Sequence, residues 1–291
     1  DFLSFECFFE ESNHFTSVYL WSLIPVVLAL VFIFVHFARA RCAGSTVTTA
    51  DLTYQLLLLG YLVLPSVSLK QLQALDCVEV AGKSYVRIDT SVDCESSEFI
   101  TFRVIDALLI TAYLSIPLIW LALLLSRRES LNPAPTTGSD KKLALFLRDQ
   151  DQDLRPLKFL YGAYTPYFFF LEVVEMYRRV LFIGVLPLLS SSSDRRATLG
   201  VLFAVLSLAF YNETKPFLRK STNALAVVAQ YTVLMTFGTA LVIEVGIVQG
   251  IEPLVLGVYL TAINVAIVGV LLYSNTGRYL RQQREQRRKE A

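Results

Sequence analysis

Four charged side chains stand in the middle of one oily stretch, PYFFFLEVVEMYRRVLFIGVLP. Glu172, Glu175 and Arg179 fall at i, i+3 and i+7, one face of a helix. Glu175 to Arg179 is the favourable acid-first i, i+4 order, and Arg178 follows Glu175 at i+3. Charges inside apolar sequence do not bind substrate by default. They fix helices to one another, or they move and gate. A second polar series, Asn223, Gln230 and Glu244, follows a seven-residue spacing with Ala226, Thr239 and Ala240 beside it. Such a stripe either lines a permeation path, with Glu244 at its mouth attracting cations, or serves close packing between helices. Asp106 and Asn264 are isolated polar residues of the same kind.

Catalytic chemistry finds no footing. The chain has no GxSxG, HExxH or Walker loop. His14 and His36 lie at opposite ends of the first apolar run, and four scattered Cys do not make a zinc site. We therefore expect no enzyme, no metal and no cofactor. The charge balance, 26 Lys+Arg against 25 Asp+Glu, gives no reason to expect nucleic acid as a partner.

The elements that must hold these residues are membrane helices. Of the 291 residues 54% are apolar and only 18% charged, against about 25% in soluble domains. Seven runs approach the roughly 20 residues needed to cross a bilayer: Val18 to Ala38, Leu52 to Leu75, Phe102 to Leu125, Phe168 to Leu189, Ala197 to Tyr211, Asn223 to Val245 and Pro253 to Ser274. The fifth is short. If the fourth helix enters the membrane at Phe168, Arg179 sits about 16 Å deep at 1.5 Å per residue, near the midplane. An unpaired Arg there costs at least a few kcal/mol, so that face must meet neighbouring helices.

Loop charges orient the runs. Connectors that would share one side carry 18 Lys and Arg, among them Arg127, Arg128, Lys141, Lys142, Arg148, Arg155 and Lys158; those on the other side carry four, Lys83, Arg87, Arg195 and Arg196. The positive-inside rule then predicts an all-α, seven-transmembrane-helix bundle with its N-terminus outside and its C-terminus cytosolic. Residues 1–17 read as an acidic extracellular lead-in, 18–274 as the membrane domain with an outer loop at 76–101 and a cytosolic linker at 126–157, and 275–291 as a basic cytosolic tail.

In the outer loop, Cys77 and Cys94 bracket an Ala81-Gly82 turn like a small hairpin. On the oxidising side these two Cys favour a disulfide, two free thiols being the alternative. Cys7 is then the odd one outside. Beginning Asp1-Phe2 without Met, the chain reads as a piece of a longer protein with an ectodomain upstream. In the linker, LALFLRDQDQDLRP reads as an amphipathic helix with Leu143, Phe146 and Leu147 toward lipid, or as a plain solvated helix. Pro65 is expected to break the second helix and leave Ser66, Lys70 and Gln73 on one face beyond it. The tail places Arg278, Arg281, Arg284, Arg287 and Arg288 just past the last helix, where they suit anionic phospholipid headgroups or simply enforce topology.

KFLYGAYTPYFFFLEVVEMYRRVLFIGVL, with SFECFFEESNHFTSVYLWSLIPVVLAL, LQALDCVEVAGKSYVRIDTSVDC and FYNETKPFLRKSTNALAVVAQ, resembles the C-terminal membrane domain of large surface proteins of algae, diatoms and oomycetes grouped with transient receptor potential (TRP)-like proteins. The resemblance implies a large adhesive region upstream and a membrane part that conducts cations. Its motif positions here are Tyr161, Tyr164, Pro166, Glu172, Glu175, Arg178 and Arg179, then Tyr211, Lys215, Pro216 and Asn223. Where such relatives often carry Trp before the paired acids, this chain has Tyr-Phe-Phe-Phe. The last connector, GIVQGIE, is too short for the pore helix and filter of animal TRP channels. Conduction would then follow helix faces, or run between copies of the chain in a homo-oligomer. The alternatives are a non-conducting anchor for the ectodomain and a G-protein-coupled-type receptor. Against the receptor, the third run ends in LLSRRES without an acid-Arg-aromatic triplet, and the seventh lacks Asn-Pro-x-x-Tyr.

Overall fold

A helix that is apolar on every side has no water-facing surface, and the long helices of this chain are of that kind. The computed structural model describes residues 14–42, 49–133, 141–190 and 192–246, with scattered helical positions between 255 and 273. It is mostly helical. Among the described residues, five helices are long and apolar enough to cross a membrane: α1 (His14–Cys42), α2 (Thr49–Ala74), α3 (Ser97–Ser126), α9 (Ser193–Thr214) and α10 (Lys220–Glu244). Their outer surfaces carry large apolar side chains, with Phe34 72% and Leu108 69% exposed. Apolar surface that continuous is solvated by lipid chains, not by water. Of the seventh expected span only those scattered helical positions are described, Asn264 not among them; the basic series Arg278 to Arg288 and residues 1–13 fall outside the described residues.

The chain divides into two units, residues 1–191 and 192–291. In the first, α1, α2 and α3 pack together, and between α2 and α3 lies a two-stranded hairpin, β1 (Cys77–Val80) and β2 (Lys83–Val86), in antiparallel register with Cys77 opposite Val86. Its two-residue turn needs positive φ at both positions, which Ala81 (53°) and Gly82 (80°) supply. The pairing expected for Cys77 and Cys94 is present as a disulfide. It sits against Phe15, Val18, Phe99 and Phe102, so the loop caps an aromatic cluster at the adjoining helix ends. Ser96 then starts α3 by accepting the Phe99 N–H at 3.1 Å.

Helix α2 runs through Pro65 as one element instead of breaking there; beyond it Ser66 is exposed and Lys70 and Gln73 are half-buried, while Ser68 and Gln71 are buried. After α3 come short elements: α4 (Arg128–Leu131), α5 (Lys141–Gln150), a 3-10 turn (Gln152–Leu157), α6 (Lys158–Tyr161) and a second 3-10 turn (Pro166–Phe168). The fourth expected span is a helical run in three parts: α7 (Leu171–Val180), a π-helical stretch (Leu181–Val185) and α8 (Leu186–Leu189). Pro187 lacks the N–H that Ile183 would otherwise bond, which accounts for the widened turn before it. There Gly184 lies so close to the Leu72 side chain that a Cβ would collide with it.

In the second unit α9 and α10 form a helical hairpin. Ala197, Gly200 and Ala204 are the buried side of α9, and Gly200 lets the ring of Phe237 lie against its backbone. Small residues at such spacing are the usual means of close approach where apolar burial gives no preference between lipid and helix.

Candidate functional site

The charged face of α7 buries Glu172 and Glu175 inside the first unit. Thr165 is extended and Pro166 opens the 3-10 turn, which redirects the chain from the 141–161 platform into α7. The helix then buries Leu171, and buries Val173, Met176 and Val180 in the main apolar core, and Glu172 and Glu175 go down with them. Two carboxylates are thereby withdrawn from solvent, a state that lasts only with partners.

Each partner is specific. Glu175 takes two parallel bonds from Arg178, Nε to Oε1 and Nη2 to Oε2, both 2.8 Å. This differs from the expected Glu175 to Arg179 pairing. The planar guanidinium at i+3 meets both carboxylate oxygens in a fork, while Arg179 turns to α2. There its Nη1 donates to the Tyr61 hydroxyl at 2.9 Å, and its guanidinium stands 5.3 Å from the Tyr61 ring centre. Arg178 also faces the Phe182 ring at 5.7 Å. Glu172 accepts the Tyr164 hydroxyl at 2.7 Å, and Tyr177 donates to the Leu114 carbonyl of α3 at 2.6 Å.

Tyr164 extends the network out of α7. Its carbonyl accepts Arg148 Nη1 at 3.2 Å, and the Arg148 guanidinium covers the Tyr161 ring at 4.9 Å. Arg148 is only 1% exposed, although α5 turns Leu143, Phe146 and Leu147 outward as expected. Burial pulls this guanidinium below its ordinary value against the field of Asp149, and burial likewise pushes the Tyr161 phenol up. One connected path therefore joins the amphipathic helix α5, the turn before α7, the charged face and α2. No protein-family model, curated protein or solved structure matches this chain. What the site does must be read from its own geometry.

The remaining expected residues are scattered. Asp106 is fully buried on the inward side of α3, and neither of its oxygens has a hydrogen-bond donor among the described residues. Elsewhere in the same unit, Gln71 donates to Ser22 Oγ at 2.9 Å and the Tyr113 hydroxyl donates to the Ser22 carbonyl, tying α1, α2 and α3 together. Asn223, Gln230 and Glu244 share one helix but not one environment. The Asn223 amide accepts the Phe217 N–H at 2.9 Å and donates to the Phe217 carbonyl at 2.8 Å, closing the turn into α10. Gln230 is buried, and Glu244 is exposed at the helix end.

Sequence reasoning missed Tyr61, Arg148, Ser22, Gln71 and Tyr113 as partners. Tyr61 and Tyr113 sit on apolar helices where their aromatic bodies gave no sign of a hydroxyl in use. Arg148 was legible only as one of many linker cations, although it follows LALFL on the packed side of that helix.

Proposed function

We propose that the chain is the membrane domain of a TRP-like cation channel or sensor, in which an external stimulus is coupled to ion flow through the Glu172, Glu175, Arg178 and Arg179 cluster. The reading takes seven spans, with the N-terminus outside and the tail cytosolic, in keeping with the loop-charge asymmetry. The single observation that supports it is the path from Arg148 through Tyr164 to Glu172 and, on the same helix face, from Arg179 to Tyr61. It connects an amphipathic cytosolic helix to a charged segment and then to a neighbouring span. The π-helical stretch follows directly. Such local widenings mark places where a helix changes register at low cost. A segment with paired charges at one end and a widened turn at the other is suited to two alternative pairings, which is what a gate needs.

Ion passage in this reading follows helix faces, with Gln230 and Glu244 of α10 as its polar contributors. Asn223, occupied in closing a turn, is assigned to structure. The plasma membrane is the proposed location, and a homo-oligomer with an upstream ectodomain the proposed assembly.

A second reading, the non-conducting anchor, draws on the same bonds: both carboxylates of the cluster have partners inside the fold, which is all that a packing knot requires. Recording from cells expressing the full chain separates the two. In the channel reading, Arg179→Gln shifts the voltage or agonist dependence of a cation current, and Glu244→Gln changes its selectivity. Protein that is folded, at the surface and silent under every stimulus overturns the channel reading in favour of the anchor.

A further inference from the structure

Away from the charged cluster, two cavities meet at the end of the α1–α2 hairpin. The larger, about 910 Å³, runs between the helices and is lined along its length by Val31, Phe32, Val35, Leu58, Leu59 and Leu62. It ends in polar side chains, His36 and Arg39 from α1 with Asp51, Tyr54 and Gln55 from α2. The smaller, about 640 Å³, shares Asp51 and Tyr54 with it and adds Arg155 and Lys158 from the platform after α5. Both volumes fall within the range of small-molecule sites, about 300 to 1,000 Å³. Phe159 closes the join, its ring meeting Tyr54 edge-on at 6.4 Å and Tyr61 at 4.8 Å.

The two ends ask for opposite chemistry in one ligand. The mouth sets three cations, Arg39, Arg155 and Lys158, against the carboxylate of Asp51, with Asp149 3.9 Å from the Lys158 ammonium, and stays net positive. The shaft is aliphatic and opens to the lipid side, where Leu62 is 63% exposed. We infer that this composite groove is a site for an anionic glycerophospholipid, with the phosphate held by Arg39, Arg155 and Lys158 and an acyl chain laid between α1 and α2. Charge decides against a zwitterionic lipid, and the aliphatic shaft decides against a soluble phosphate. Arg39 stands in the last turn of α1 and Asp51 in the first turn of α2, so the mouth lies where the hairpin turns. This inference rests on the bilayer reading, which puts that turn at the cytosolic interface with the linker cations. Through Phe159 and Tyr61 the occupant of the groove touches the partner of Arg179, which gives lipid a way to bias the charged cluster.

The test uses the full chain purified in detergent and short-chain lipids as probes: dioctanoyl phosphatidylserine, dioctanoyl phosphatidylcholine and chain-free glycerophosphoserine. Binding is read by native mass spectrometry, so no current is needed, and a silent but lipid-binding protein separates failure of the channel reading from failure of this one. Phosphatidylserine is expected to bind in preference to phosphatidylcholine. Arg155→Gln and Lys158→Gln should each weaken it about fivefold, the factor that about 1 kcal/mol per cation beside an anionic surface represents, and leave phosphatidylcholine unchanged. Leu58→Trp, which fills the shaft, should reduce both lipids. Lipid-free melting of each variant reports folding, and the two charge variants carry the test if Leu58→Trp does not fold. Charge variants that bind like the parent overturn the inference, as does glycerophosphoserine binding as well as the whole lipid. So does loss of the whole preference on neutralising Arg278 to Arg288 alone.

Discussion

Removing both members of the Glu175–Arg178 pair should cost no more than removing either one alone. The two side chains are 9% and 20% exposed and are joined by two bonds of 2.8 Å. Breaking a buried pair from one side leaves an uncompensated charge, about 3 to 5 kcal/mol. Arg178 keeps some access to its surroundings, so the lower end applies: about 3 kcal/mol for Glu175→Gln, and about 4 kcal/mol for Arg178→Gln, which strands the more buried carboxylate. In the double variant two neutral amides face each other and no charge is left unpaired. Its cost should be about 3 kcal/mol instead of the sum of about 7, which makes the coupling energy about 4 kcal/mol, above the usual upper limit for contacting residues. The assay is denaturant unfolding in mixed micelles, followed by tryptophan fluorescence; Trp120 lies in the same apolar core as α7. Single variants costing under about 1 kcal/mol would place the pair in water. Singles that add within about 0.5 kcal/mol would show that the pair does not exist as a unit. Either result refutes the argument.

Three further outcomes follow from the same geometry. Cys77→Ser with Cys94→Ser opens a loop with a sequence separation of 17, which should lower stability by about 3 kcal/mol on the loop-entropy account; the parent under reducing conditions should match it in the same unfolding assay. Tyr164→Phe removes the donor to Glu172 and should cost about 1 to 3 kcal/mol, with proteolysis between residues 141 and 161 unchanged, because Arg148 of α5 bonds the Tyr164 backbone carbonyl that the substitution keeps. Asp106→Leu, by contrast, should raise stability by about 1 to 3 kcal/mol, because both acceptor oxygens of Asp106 are buried without a donor; a destabilised Asp106→Leu would mean that the carboxylate has a ligand.

Much of the fold was legible because bilayer helices are written in length and oiliness, and five of the expected runs appear as helices long enough to span. The hairpin was legible for a different reason: Ala81-Gly82 supplies the left-handed pair that a two-residue turn demands, and two nearby cysteines close it. The α7 run was harder to read. Hydropathy sees Phe168 to Leu189 as one oily stretch, but Pro187 and the Gly184–Leu72 contact divide it into α, π and α parts. Within the candidate site, periodicity placed Glu172 and Glu175 on the buried face. It did not choose between Arg178 and Arg179 as the partner, because both spacings are allowed on a helix and Tyr61, 118 positions away, decides the matter by engaging Arg179. The same limit explains Asn223, whose seven-residue spacing to Gln230 looked like a stripe while its amide answers to the turn just before it.

The central claim is that the charged face of α7 is hidden inside a unit that crosses the bilayer, and cysteine labelling of sealed cells tests it most directly. With Cys7 and Cys42 replaced by Ser, three positions are compared using a membrane-impermeant maleimide: Lys83→Cys in the hairpin turn, Arg128→Cys after α3, and Met176→Cys, buried between Glu175 and Tyr177. The account predicts that Lys83→Cys labels in intact cells, Arg128→Cys only after permeabilisation, and Met176→Cys only after unfolding. Labelling of Lys83→Cys and Arg128→Cys from the same side, or ready labelling of Met176→Cys in the folded protein, would contradict it.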